Sequence, residues 1–236
     1  MTIITQADKG DLLSALEADN NIDELRNGVG AVTPAAAAAT GMKVGTYGSA
    51  TDGWHDLTGT VQIYGGATDA TRELYRAPIS ALRFVETTAD LAYVDFHVPH
   101  DYRIGTDIYI HAHWSHNGTG VTGGSITWDF NLMYAKGHNQ GAFAAPIVVS
   151  TTQNASTTQY QHMIAEEIAS TSGGSPTLLD TDLLEPDGLI QCAIRLNSND
   201  LTGTAADVFV HMVDIHYQST NVPTLRRNVS TGSFYI

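Results

Sequence analysis

The histidines are the residues of this chain best placed to do chemistry. His111 and His113 stand two apart in the alternating run Ile108-Tyr-Ile-His-Ala-His-Trp114. If that run is a strand, both imidazoles leave the same face. Neutral imidazoles so placed can reach one metal ion, which makes His111 and His113 the metal candidates of the sequence. Asp95-x-His97 and Asp214-x-His216 set a carboxylate and an imidazole on one strand face in the same way. Such a pair can tune a general base or orient a metal ligand. It can equally be a hydrogen bond between sheet neighbours. No Ser or Cys sits in a Gly-x-Ser-x-Gly elbow, and the glycines form no phosphate-cradling loop. The expectation is a protein that performs no catalysis and needs no cofactor. Its histidines would then make structural hydrogen bonds or pack around an oligomer axis.

Two further features could carry chemistry. The stretch from Gly105 to His113 resembles the opening of the cupin metal motif, a Gly, five residues and then His-x-His. It departs from that motif at Trp114-Ser-His-Asn117, where a cupin supplies a Glu, and the second cupin motif is missing near residues 188–217. Asp180, Asp182, Glu185 and Asp187 offer oxygen ligands of the kind calcium takes, but not at EF-hand spacing, so a solvated acidic loop is expected. The single Cys192 lies in the apolar run Gly188-Leu-Ile-Gln-Cys-Ala-Ile194 and reads as a buried, inert thiol.

These residues need elements to position them, and the periodicity supplies strands. Ile126, Trp128, Phe130, Leu132 and Tyr134 alternate with Thr127, Asp129, Asn131 and Met133. Ala92, Val94, Phe96 and Val98 alternate with Tyr93, Asp95 and His97. Ile190, Cys192, Ile194 and Leu196 alternate with polar or small residues. A period of two marks half-buried strands. Residues 208–217 are β-branched and aromatic on both faces, as in a central strand. Weaker strand candidates are 61–64, 81–86, 145–151 and 159–168, the last fitting a helix as well. Turn sequences separate these runs, and no helix intervenes. The expected fold is all-β, an antiparallel sandwich of the jelly-roll kind over residues 60–236.

Residues 1–59 differ in character. Leu12, Leu13, Leu16, Ile22 and Leu25 recur at helical spacing, and Asn21 and Glu24 have the offset of a capping box. A connector rich in Gly, Ala, Pro and Thr follows. The segment reads either as an arm that docks on a partner or as a helix that caps the domain. Charged residues are only 15% of the chain, and the formal charge is -14. That balance argues against nucleic acid or an anionic membrane as partner, since both need a basic surface. The opening MTIITQADKGDLL lacks the layout of a secretory leader, so synthesis in a cytoplasm is expected.

Several separated patches then carry a resemblance. They are Asp95-Phe-His-Val-Pro-His-Asp-Tyr-Arg-Ile-Gly105, Asp107-Ile-Tyr-Ile-His-Ala-His-Trp-Ser115 and Thr127-Trp-Asp-Phe-Asn-Leu-Met-Tyr-Ala-Lys-Gly-His138, followed by Leu184-Glu-Pro-Asp187 and Val213-Asp-Ile-His-Tyr-Gln218. Together they resemble small virion structural proteins of tailed bacteriophages, over roughly residues 60–220. Some proteins of that kind are trimeric jelly rolls that decorate and cement the capsid; others attach to tails. The resemblance implies a virion component on the capsid exterior, with the major capsid protein and its own copies as partners. His97, His111, His113 and Trp114 would then be candidates for subunit contacts. A tail fibre, tailspike or tail adaptor that recognises the host is the alternative, with Trp54, Tyr64, Trp114 and Tyr134 available to stack on sugars. A cupin-like metalloprotein is the third reading.

Overall fold

A computed structural model describes residues 53–220, which lie within one unit, Asp52–Ile236. Leu12, Leu13, Leu16, Ile22 and Leu25 lie outside the described residues. Two antiparallel sheets make up the fold. The first contains β1 (Trp54–Gly59), β2 (Thr71–Arg76), β3 (Ile79–Phe84), β5 (Tyr109–His116), β9 (Met163–Ile168) and β14 (Val208–Gln218). The second contains β4 (Leu91–His97), β7 (Ser125–Ala135), β8 (Ile147–Asn154) and β12 (Leu189–Asn199). A short antiparallel ribbon pairs β6 (Val121–Gly123) with β13 (Thr202–Gly203), and a parallel one pairs β10 (Ser170–Thr171) with β11 (Leu179–Asp180). Among the described residues no helix is long and apolar enough to cross a membrane.

The spatial order is β3-β14-β5-β9 in one sheet and β4-β12-β7-β8 in the other. From β3 onward the chain passes repeatedly from one sheet to the other, which is the jelly-roll path expected from the strand pattern. β14 lies at the centre, as its two-sided apolar sequence requires. One of its edges pairs with β5; the other is shared by β3 at Val208–Val210 and β1 at Val213–Gln218. β1 falls in the stretch read from sequence as the end of the connector, so the sandwich begins before residue 60. Residues 61–64 make only an isolated bridge, Gln62 to Tyr93. The ambiguous 159–168 resolves into the strand β9 over its second part.

The alternating residues meet between the sheets. Ile126, Trp128, Phe130 and Leu132 of β7 face Ile110, Ala112 and Trp114 of β5 and Val213 and Ile215 of β14, all buried. Trp128 makes edge contacts with both Phe84 and Trp114. Cys192 is buried in this core, and burial pushes its thiol far up, out of reach of ordinary ionisation.

Exposed strand edges invite unwanted pairing, and here side chains and a strap cover two of them. Thr151 and Gln153 of β8 donate to the backbone oxygens of Glu166 and Ile164 on β9, joining the sheets along one side. Residues 62–70 run along β4, with backbone bonds between Gln62 and Tyr93 and between Leu91 and both Thr68 and Ala70.

Candidate functional site

The register of the first sheet builds a polar cluster on its outer face. Glu166 of β9 lies opposite His111 of β5, and His111 lies opposite Asp214 of β14. His216, two residues on, is opposite Asp56 of β1. Core residues occupy the inward positions of the same strands, so the period of two sends these side chains outward together. His111 and Asp214 are nonetheless only 2% exposed. Buried polar groups of this kind must be paired or otherwise satisfied.

Most of them are. His111 Nε2 lies 2.6 Å from Glu166 Oε2, and His216 Nε2 lies 2.6 Å from Asp56 Oδ1. His113 Nε2 is 2.9 Å from Asp214 Oδ1, and its Nδ1 is 2.8 Å from Nε2 of the stacked His162. The exception is His111 Nδ1, which is buried without a hydrogen-bond partner and faces Asp214 Oδ2 at 3.8 Å. Burial first, and then the adjacent His216, push the His111 imidazole below the ordinary histidine value, against the upward pull of Asp214 and Glu166. The His111 and His216 rings approach to 3.7 Å between centroids. One ligand atom from each of His111, Asp214 and His216 falls within 4.8 Å of the others. An open pocket of about 350 Å³, lined by Trp54, Tyr109, Glu166 and His216, adjoins them.

The two metal candidates of the sequence therefore part company. His111 keeps a ring nitrogen toward Asp214-x-His216, while His113 has both of its own engaged, Nε2 by Asp214 Oδ1 and Nδ1 by His162. As a set of subunit contacts the sequence reading also needs correction. Trp114 is fully buried against Trp128, with its Nε1 donating to Gln153 Oε1 at 2.6 Å, and His111 is buried under the cluster. Neither reaches the surface of the described chain; only His97 is well exposed.

His97 belongs to a second cluster at one end of the sandwich. The Asp187 carboxylate lies 3.3 Å from His97 Nε2 and 2.8 Å from His100 Nε2 through one oxygen, and 2.6 Å from His138 Nε2 through the other. Burial raises the Asp187 carboxyl, but the hydrogen bonds and charge of His138 and His100 outweigh it and hold it below the ordinary carboxylate value. Asp95 does not join His97; it accepts from Gln191. In the acidic loop, Asp180 accepts from the backbone of Gly173 and Asp182, and Asp182 from Ser172 and Gly173, so these carboxylates brace turns.

A third feature lies on the outer face of the second sheet. Tyr64 and Tyr93, 5.1 Å apart between ring centroids, flank a groove of about 290 Å³ that also takes in Asp95, Asn131 and Gln191. Tyr64 is 71% exposed there. Of the other aromatic residues considered for sugar stacking, Trp54 is exposed, whereas Trp114 and Tyr134 are core residues.

No family model matches the chain, and no curated protein does. Among solved structures, a xylan-binding module, CBM15, aligns at a TM-score of 0.29 and 10% identity, covering 72% of this chain and 93% of that one. A non-crystalline cellulose specific carbohydrate-binding module, CBM28, aligns at 0.30 and 14% identity, covering 65% and 85%. The chain described as "CBM4 structure and function" aligns at 0.19 and 12% identity, covering 66% and 100%. Likeness at these scores carries no argument about what this chain binds.

Proposed function

We propose that this protein is a structural component of a tailed-bacteriophage virion, a non-catalytic jelly roll that decorates the outside of the head as a homotrimer and cements the capsid lattice. The observation that carries this reading is where the resembling patches meet. His97 and His100 from one patch, His138 from another and Asp187 from a third share one carboxylate. Asp101 of the first patch accepts from Tyr217 of the last and from Ser219. Patches far apart in sequence thus brace one end of the sandwich, which supports reading them as the signature of a shared scaffold. Net acidity suits an outer capsid surface better than one facing packaged DNA. The N-terminal segment would act as the docking arm on the major capsid protein, and three linked arms raise the effective affinity by multivalency.

Removal of residues 1–45 should leave a folded trimer that no longer attaches to heads. Full occupancy by the truncated protein would overturn the arm's role. Immunogold labelling of virions tests the location: gold over heads is the expected result. Gold at the tail tip would favour the second reading, a tail component that recognises host glycans. The exposed Tyr64 beside Tyr93, Asp95, Asn131 and Gln191 supports that alternative, because an aromatic platform with amides and a carboxylate suits a sugar face and its hydroxyls.

A further inference from the structure

The tautomer of His111 follows from its surroundings. Glu166 approaches Nε2 at 2.6 Å, so that nitrogen carries the proton and donates it. The lone pair is then left on Nδ1, buried and without a hydrogen-bond partner, with Asp214 Oδ2 3.8 Å away. Two electron-rich atoms face each other with nothing donating to either across the gap. His216 Nε2 completes a triangle at 3.7 Å from the same oxygen. A tetrahedral ion with bonds of about 2.0–2.1 Å to nitrogen and oxygen sets its ligands about 3.4 Å apart. Asp214 Oδ2 stands only a few tenths of an ångström farther than that from each of the two nitrogens.

We propose that His111 Nδ1, Asp214 Oδ2 and His216 Nε2 bind one divalent transition-metal ion of the zinc type, with Glu166 holding His111 in its ligand tautomer. The donor set, two imidazoles and a carboxylate, suits zinc and its neighbours better than calcium or magnesium. The Nε2–H···carboxylate bond to Glu166 is the outer-shell contact that metal-bound histidines usually make. Asp56, exposed on β1 and 2.6 Å from His216 Nε2, is within reach as the fourth ligand. When the ion binds, His216 Nε2 gives up its hydrogen bond to Asp56 and turns its lone pair to the metal. The ion enters from the pocket beside Trp54 and Tyr109. Once bound it ties β5 to β14 and, through Asp56, pins β1, the first strand of the sandwich.

The test uses the full chain without a histidine tag, stripped with chelator, equilibrated with zinc chloride and gel-filtered before elemental analysis. One zinc per chain is expected, with a rise in melting temperature; cobalt should give the visible bands of a tetrahedral site. Asp214→Asn and His216→Ala should drop the retained zinc to background. Glu166→Gln, an exposed and conservative change, should weaken zinc affinity about 10–100-fold while leaving the fold intact by circular dichroism. His138→Ala, in the other histidine cluster, should retain zinc fully. A wild-type chain that keeps no zinc, or zinc retained equally by His216→Ala and Glu166→Gln, would overturn the proposal. Neither result bears on where the protein sits in a virion.

Discussion

At the scale of single residues, Asp187 shows how one carboxylate gathers several chemistry-bearing side chains. His97, His100 and His138 all converge on it, and its backbone N–H donates to Val98 O. Removing the charge leaves three imidazoles with weaker acceptors; Asp187→Asn is expected to cost about 1–3 kcal/mol. The pH dependence has a definite sign. A carboxyl held below its ordinary value when folded stabilises the protein fully above the unfolded value, and the gain is lost as pH falls through the folded one. Urea unfolding of wild type and Asp187→Asn across acidic pH should show curves that converge as the pH drops below the ordinary carboxylate range. Curves that stay parallel would mean that Asp187 contributes no such term. The sequence made part of these sites legible. His111 and Asp214-x-His216 stood out by spacing within a strand. Glu166 and Asp56 did not, because they reach the cluster only through the pairing of β9 with β5 and of β1 with β14, and no local pattern encodes that register.

Among the elements, legibility followed burial. β4, β7 and β12 alternate because one face is core and the other is not, and their positions could be read directly. β1 and β2 are exposed along nearly their whole length, so no apolar period marks them. From sequence alone β1 is therefore indistinguishable from the connector that precedes it. The turns were visible as Gly-Gly or Pro-Asp-Gly, though not what they must avoid. Gly124, between β6 and β7, adopts φ +96, and a Cβ there would lie 2.1 Å from Asp200 O. Both the left-handed backbone and the close approach require glycine. Gly124→Ala should therefore destabilise by more than about 2 kcal/mol, through strain plus displacement of the chain leading out of β12. Thermal denaturation measures the loss, and an unchanged midpoint would show that the Asp200 turn yields freely. Gly141, where an added Cβ meets nothing within 4 Å, provides the matched control.

At the scale of the whole molecule, one edge of the first sheet leaves large apolar side chains uncovered by the described residues. On the β2–β3 hairpin, Leu74 and Ile79 are 64% and 62% exposed, and β2 is the last strand of its sheet. An open edge flanked by large apolar side chains is a liability in a monomer, and proteins manage it by pairing or covering the strand. Closed symmetric assembly does so at every copy at once, since each protomer offers the same edge and receives a neighbour's surface. The homotrimer proposed above would place the hairpin at the subunit boundary, leaving the metal cluster and the Tyr64 groove on other strands free for other partners. The double variant Leu74→Glu, Ile79→Glu puts six like charges around a threefold contact. Sedimentation velocity should then show wild type as a trimer and the variant as a folded monomer. A variant that still sediments as a trimer would move the interface elsewhere on the sandwich, and a monomeric wild type would remove the trimer itself.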